Sequence, residues 1–114
     1  MKPEIAKLWV EALRSGAYKQ GFGYLRNEKN EFCCLGVLCN LHAQAHPKIA
    51  QQQVDPYRYL DCASVLPHEV KEWAGMQSPD GYVRGANSLV QQNDARQESF
   101  KSISDFIESH ATSL

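Results

Sequence analysis

The chain has no apolar run approaching the roughly 18 residues that cross a bilayer, so no membrane-spanning helix and no membrane partner is expected. Its opening residues, Met1-Lys2-Pro3-Glu4-Ile5, carry charge and no apolar h-region, so no secretory signal is expected and a cytoplasmic location follows. No Cys-x-x-Cys spacing occurs. No Gly-Lys-Ser/Thr follows a strand, which excludes a P-loop, and no dinucleotide-binding glycine fingerprint is present. Internal repeats, long low-complexity stretches and linkers are absent too. Net charge is small: 12 Lys and Arg against 13 Asp and Glu leave −1, so bulk electrostatics does not point to a nucleic-acid polymer.

What is present fits one domain. A chain of 114 residues cannot be split in two without each half falling below the size at which a core is comfortable. Apolar residues at 43% and charged residues at 22% are close to globular averages, which argues against disorder, collagen or coiled coil. The four cysteines, Cys33, Cys34, Cys39 and Cys62, are expected to stay reduced. Three of them lie in the run Phe32-Cys33-Cys34-Leu35-Gly36-Val37-Leu38-Cys39, where a thiol behaves as a small hydrophobe.

Periodicity predicts a first helix over 3–13, with Ile5, Leu8, Trp9, Ala12 and Leu13 as its apolar stripe, Arg14 in the last turn and Gly16 as a left-handed cap. Residues 15–23 form a loop with three glycines. Phe22–Arg26 and Glu31–Cys34 read as a hairpin across the polar turn 27–30. Residues 35–45 read as a buried helix ended by Pro47. The stretch 47–64 reads as a surface excursion followed by an extended piece at Tyr57-Arg58-Tyr59-Leu60. A short helix over 67–74 ends at Gly75, residues 82–84 form a short strand, residues 87–92 form a short helix, and the last helix covers 99–109 with Ser99 as its cap. The sum is a single α+β domain over residues 1–114, with four or five short helices packed on a small antiparallel sheet.

The string Phe32-Cys33-Cys34-Leu35-Gly36-Val37-Leu38-Cys39 carries a resemblance. With it go Trp9, Ala12-Leu13-Arg14-Ser15-Gly16, Tyr18-Lys19-Gln20-Gly21, Gly23 and Leu25, then Val65-Leu66-Pro67, Trp73-Ala74-Gly75, Ser88-Leu89, Asn93-Asp94 and Ser99-Phe100. In these residues the chain resembles an uncharacterised group of small proteins encoded by bacteriophages and prophages. The glutamine-rich middle, 43–60, lies outside that pattern. The resemblance implies phage origin and carries over no catalytic residue. By analogy of origin, small phage proteins outside the virion often bind and inactivate a host factor, and one class binds host immune signals of nucleotide type.

Four chemistries can be weighed. Cys39, His42 and His46 follow i, i+3, i+7 spacing, but three residues on one helix cannot enclose a tetrahedral zinc ion, so no metal is expected. Cys33 and Cys34 stand before a predicted helix, yet no motif surrounds the four histidines that could activate a thiol. Asp61, Asp80 and Asp94 have no spacing that demands hydrolysis. Catalytic residues and cofactors are therefore not assigned. Anion binding is preferred. Residues 1–30 carry a balance of +3 against −4 for 61–114, which gives the N-terminal part a basic face. The expected ligand-binding set is Arg14, Tyr18, Lys19, Gln20, Gly21, Tyr24 and Arg26, with Asn93 and Asp94 from a later loop. Arginine binds phosphate bidentately, a tyrosine stacks a base, and Gln20 or Asn93 reads its edge. The alternative for the same residues is structural: Arg14 capping a helix and Tyr18 half in the core.

The expected function is a phage-type anti-defence protein, acting as a homodimer in the host cytoplasm. It sequesters a small nucleotide-derived signal, a cyclic nucleotide or an ADP-ribose derivative, without catalysis. Two rivals stand beside it: an acidic inhibitor docking a host enzyme through 61–114, with Glu98, Asp105 and Glu108 imitating phosphates, and a small enzyme degrading the same signal.

Overall fold

The computed structural model describes residues 1–114 and is mainly helical. The helices are α1 (Pro3–Arg14), α2 (Cys34–Ala45), α3 (Pro47–Gln51), α4 (His68–Ala74) and α5 (Phe100–His110), with a π-helical turn at Gln91–Ala95 between α4 and α5. No helix is long and apolar enough to cross a membrane.

Two amphipathic helices, α1 and α5, pack on each other, and α1 also packs on α2, whose first half is wholly buried. α1 buries Ile5, Ala6, Trp9, Val10 and Leu13, and α5 buries Phe100, Ile103 and Ile107. α2 buries Cys34 through Cys39 without a break, the pattern of a helix surrounded by protein. The Trp9 indole nitrogen donates to the Cys34 carbonyl at 2.9 Å, which fixes α1 against the first turn of α2. Cys33 caps α2, its sulfur accepting from the Gly36 amide at 3.4 Å. α4 ends on Gly75 at φ 71°, and α1 is followed by Gly16 at φ 77°, the left-handed exits their sequences call for. Ser99 caps α5 by accepting from the Ser102 amide.

The expected α+β architecture does not form: there is no sheet, only isolated bridges at Gln20–Phe32, Arg26–Phe32 and Tyr59–Cys62. The hairpin fails because its backbone bonds go elsewhere. The Phe32 amide donates to the Lys19 carbonyl at 2.8 Å, and the Leu25 amide donates to the Ala63 carbonyl at 2.7 Å. Asn27 closes the turn with its side chain, accepting from the Lys29 and Glu31 amides. Cys33 then starts α2 at once, leaving no length for a ladder. Leu25 is turned aside by the close approach of Gly36 on α2, where any Cβ would overlap the Leu25 carbonyl. Residues 82–84, expected as a strand, are irregular, and the expected helix over 87–92 is displaced into the π-helical turn.

That turn places Asn93 wholly inside the protein. Its Oδ1 accepts from Gln20 Nε2 at 2.9 Å and from the Cys34 amide at 3.2 Å. Its Nδ2 donates to the Gly21 carbonyl at 2.9 Å and to Asp94 Oδ1 at 2.7 Å. One side chain thus ties the glycine loop to the N-terminus of α2.

Two substitutions should show these constraints in chemical denaturation. Gly36→Ala is expected to destabilise by roughly 1–3 kcal/mol or more, because backbone must move to admit one methyl group. Asn93→Ala should cost at least about 3 kcal/mol, since it leaves several buried groups unpaired. A midpoint within error of the parent for either would contradict the packing described.

Candidate functional site

A half-open cleft of about 220 Å³ lies between the outer side of α2 and the turn that follows α3. Leu25, Phe32, Cys39 and Ala43 form its apolar floor, with Gly36 on the same side. Arg26, Asn40, Gln53, Tyr57 and Arg58 supply its polar side chains, and no aspartate or glutamate lines it.

Local geometry sets each of these groups. Arg26 leaves the chain just beyond Leu25; its Nε donates to Asn30 Oδ1 at 2.7 Å, and its guanidinium lies 5.5 Å from the centre of the Phe32 ring. Tyr59 and Cys62 exchange both backbone hydrogen bonds, at 2.8 and 2.9 Å, across a two-residue turn. Leu60 and Asp61 in that turn have φ of 48° and 69°, a left-handed pair that favours glycine and asparagine and is strained for leucine. The turn sends Tyr59 inward and leaves Arg58 at the rim, where its Nη1 donates to the Asp61 carbonyl at 2.9 Å. Neither Arg26 nor Arg58 has a carboxylate within ion-pair distance.

Behind the cleft wall the Tyr59 hydroxyl meets His42 Nδ1 at 2.7 Å. His42 is buried and stacks on His46 with ring centres 4.1 Å apart, and both rings meet Trp73 edge-on. Burial, reinforced by His46, pushes His42 below the usual histidine value, with Glu69 opposing. Burial raises the Tyr59 hydroxyl to about 12.

The sequence-predicted residues are distributed as follows. Arg26 lines the cleft. Tyr18 stands behind it, its hydroxyl donating to Asn40 Oδ1 at 2.6 Å. Arg14 is turned to α5: Nη2 lies 2.7 Å from Asp105, Nη1 lies 3.2 Å from Glu108, and Nε donates to Ser104. These contacts, Glu108 first, raise the guanidinium's pKa, and Arg14 with Lys101 draws Asp105 below the usual carboxylate range. Lys19 is exposed and pairs with Glu31 at 3.4 Å. The Asn27 side-chain amide, with Lys19, lowers the Glu31 carboxyl. Gln20, Gly21, Asn93 and Asp94 are spent on one another, as described above, and Gln20 also donates to the Glu98 carbonyl at 2.8 Å. Tyr24 is exposed. Arg58, Tyr57, Asn40 and Gln53 were missed by sequence reasoning. The aromatic–arginine–aromatic triplet Tyr57-Arg58-Tyr59 was the available signal, hidden in the segment whose pattern is hardest to read.

The thiols offer little nucleophilic chemistry. Burial raises Cys33 to about 12 and holds Cys34 and Cys39 well above the ordinary thiol value, so all three are protonated at neutral pH. The half-buried Cys62 is raised as well, by burial and by Glu69 and Asp61. No three His, Cys, Asp or Glu side chains come together as a metal-binding group.

A family model described as a domain of unknown function, DUF8296, matches residues 1–111. No curated protein and no solved structure matches the chain.

The His42 environment predicts an acid-labile fold. With the folded pKa below the unfolded value near 6.5, the contribution of neutral His42 is complete above that pH. It is lost as pH falls from there through the folded value, because the unfolded chain takes up a proton the folded chain resists. Urea midpoints should therefore drop between pH 7.5 and 5. His42→Asn, which keeps a partner for Tyr59 and cannot titrate, should flatten that drop; an unchanged slope in the variant would assign it to other groups.

Proposed function

The chain belongs to the DUF8296 family, whose function is itself unknown, and from that premise we propose a role on this chain's own geometry. The protein binds a small phosphate-bearing, nucleotide-type anion in the Arg26–Arg58 cleft and does not transform it. The observation that carries this reading is the pair of guanidinium groups, both without a carboxylate partner, at a cleft free of acidic side chains. Arginine matches phosphate geometry with two donors at once. Tyr57 offers an aromatic face to a base, and Tyr18 holds Asn40 from behind. Arg26 thus remains from the sequence-derived set, and Arg14, Gln20, Gly21, Asn93 and Asp94 support the fold.

The volume limits the ligand. About 220 Å³ is below the 300–1,000 Å³ or so usual for pockets that enclose a drug-sized molecule. The cleft therefore takes one nucleotide unit, and the remainder of a cyclic dinucleotide or ADP-ribose derivative projects from it. Two copies of the chain, each holding one end, would cover such a ligand. Resemblance to phage-encoded proteins supplies the biological sense: a host immune signal withdrawn from the infected cell's cytoplasm.

The rival readings have less support. Of the carboxylates that would imitate phosphate, Asp105 and Glu108 are engaged by Arg14 and Asp105 also by Lys101. A thiol enzyme would need a thiolate that the buried cysteines do not supply.

The test is binding followed by product analysis. The protein is loaded with nucleoside monophosphates, cyclic dinucleotides and ADP-ribose, denatured, and the released material analysed by mass spectrometry. Intact release is expected; new products would favour the enzyme. Arg26→Ala and Arg58→Ala should each weaken calorimetric affinity roughly 10- to 150-fold. Lys19→Ala should change it little, and rising salt should weaken it. Affinity indifferent to both arginine variants would place the site elsewhere.

A further inference from the structure

Asn40 stands half-buried on the cleft side of α2. Its Oδ1 accepts twice, from the Tyr18 hydroxyl at 2.6 Å and from Gln44 Nε2 at 3.1 Å. Tyr18 is itself held by edge-on packing against Phe32, ring centres 5.2 Å apart. In this set of three side chains the Gln44 nitrogen and the Tyr18 hydroxyl are the donors and the Asn40 oxygen is the acceptor. An amide oxygen has two lone pairs, and both are used. Asn40 Nδ2 donates to no group of the chain. Gln53 and Tyr57, by contrast, lie on a segment with only local hydrogen bonds and can both donate and accept.

A free asparagine reads adenine with both amide atoms, donating to N7 and accepting from the exocyclic amine. Asn40 cannot accept. An oxo group on the base meets its free N–H; an amine in the same place sets donor against donor and is left unpaired. We infer that Asn40 makes the cleft selective for an oxo-bearing base, a 6-oxopurine or 4-oxopyrimidine nucleotide, over the amino counterpart, a selectivity that rests on the cleft being the nucleotide site proposed above. Tyr18 and Gln44 are positioning residues: they touch no ligand and act by holding the Asn40 amide one way round.

The test uses the full chain and two pairs of probes that exchange the oxo group for an amine: inosine against adenosine 5′-monophosphate, and uridine against cytidine 5′-monophosphate, each titrated by calorimetry. The oxo member should bind roughly tenfold or more tightly. Asn40→Asp keeps acceptors for Tyr18 and Gln44, has no donor and adds a free accepting oxygen, so it should reverse the difference toward the amine-bearing member. Tyr18→Phe frees one lone pair and should narrow it, which serves as the readout if Asn40→Asp fails to fold. Arg26→Ala should weaken both members of a pair by the same factor. Equal affinities in the parent, or a preference that survives both Asn40→Asp and Tyr18→Phe, would overturn the selectivity and leave the cleft reading standing. No binding of any of the four would overturn both.

Discussion

The fold depends on an amide that has nothing left to give. Asn93 is fully buried, and all four of its short hydrogen bonds are to parts of the chain distant from or adjacent to it in sequence. A buried polar side chain is costly unless satisfied, and rigidifying when it is. Here satisfaction requires three segments at once: the glycine loop through Gln20 and Gly21, the first turn of α2 through Cys34, and the π-helical turn through Asp94. Ordinary α-helical spacing there would carry Asn93 off this alignment; the wider turn is how the chain keeps it.

From that junction α2 runs through the centre, and its composition follows from its position. Its first turn receives Trp9 and Asn93, its buried sulfurs fill space, the Cys34 thiol donating weakly to the Leu89 carbonyl, and Gly36 lets the Leu25 carbonyl lie against the helix. The cleft occurs on its far side, around Asn40 and Ala43.

What the sequence made legible divides along the same line. α1, α4 and α5 announce themselves by stripe, cap and stop, all local signals, and α2 by an unbroken apolar run. The sheet was misread because the alternation in 22–26 and 31–34 is too short to bind either segment to the other, and Leu25 finds Ala63 instead. The π-helical turn has no local signature; it sets the Asn93 side chain against the distant Cys34 amide. The contacts of Arg14 could not be read locally, because its partners, Asp105 and Glu108, lie more than ninety residues along the chain. Arg26 was legible as a cation on a short extended piece, whereas Arg58 owes its place at the rim to a strained turn at Leu60-Asp61 that no residue preference would foretell.

The two walls of the cleft differ in how they are fastened. α2 is embedded in the core. From Ala50 to Arg58, every backbone hydrogen bond is to a near neighbour, and Val54 is almost wholly in solvent. Segments of that kind exchange their amide protons through small local openings, while a core helix exchanges only with global unfolding. An occupant gripped by both Arg26 and Arg58 would therefore slow proton exchange along 50–58 and leave α2 as it was. Part of its binding energy would go into ordering that wall, so affinity would understate the strength of the contacts, and dissociation would keep time with the opening of one short stretch of chain.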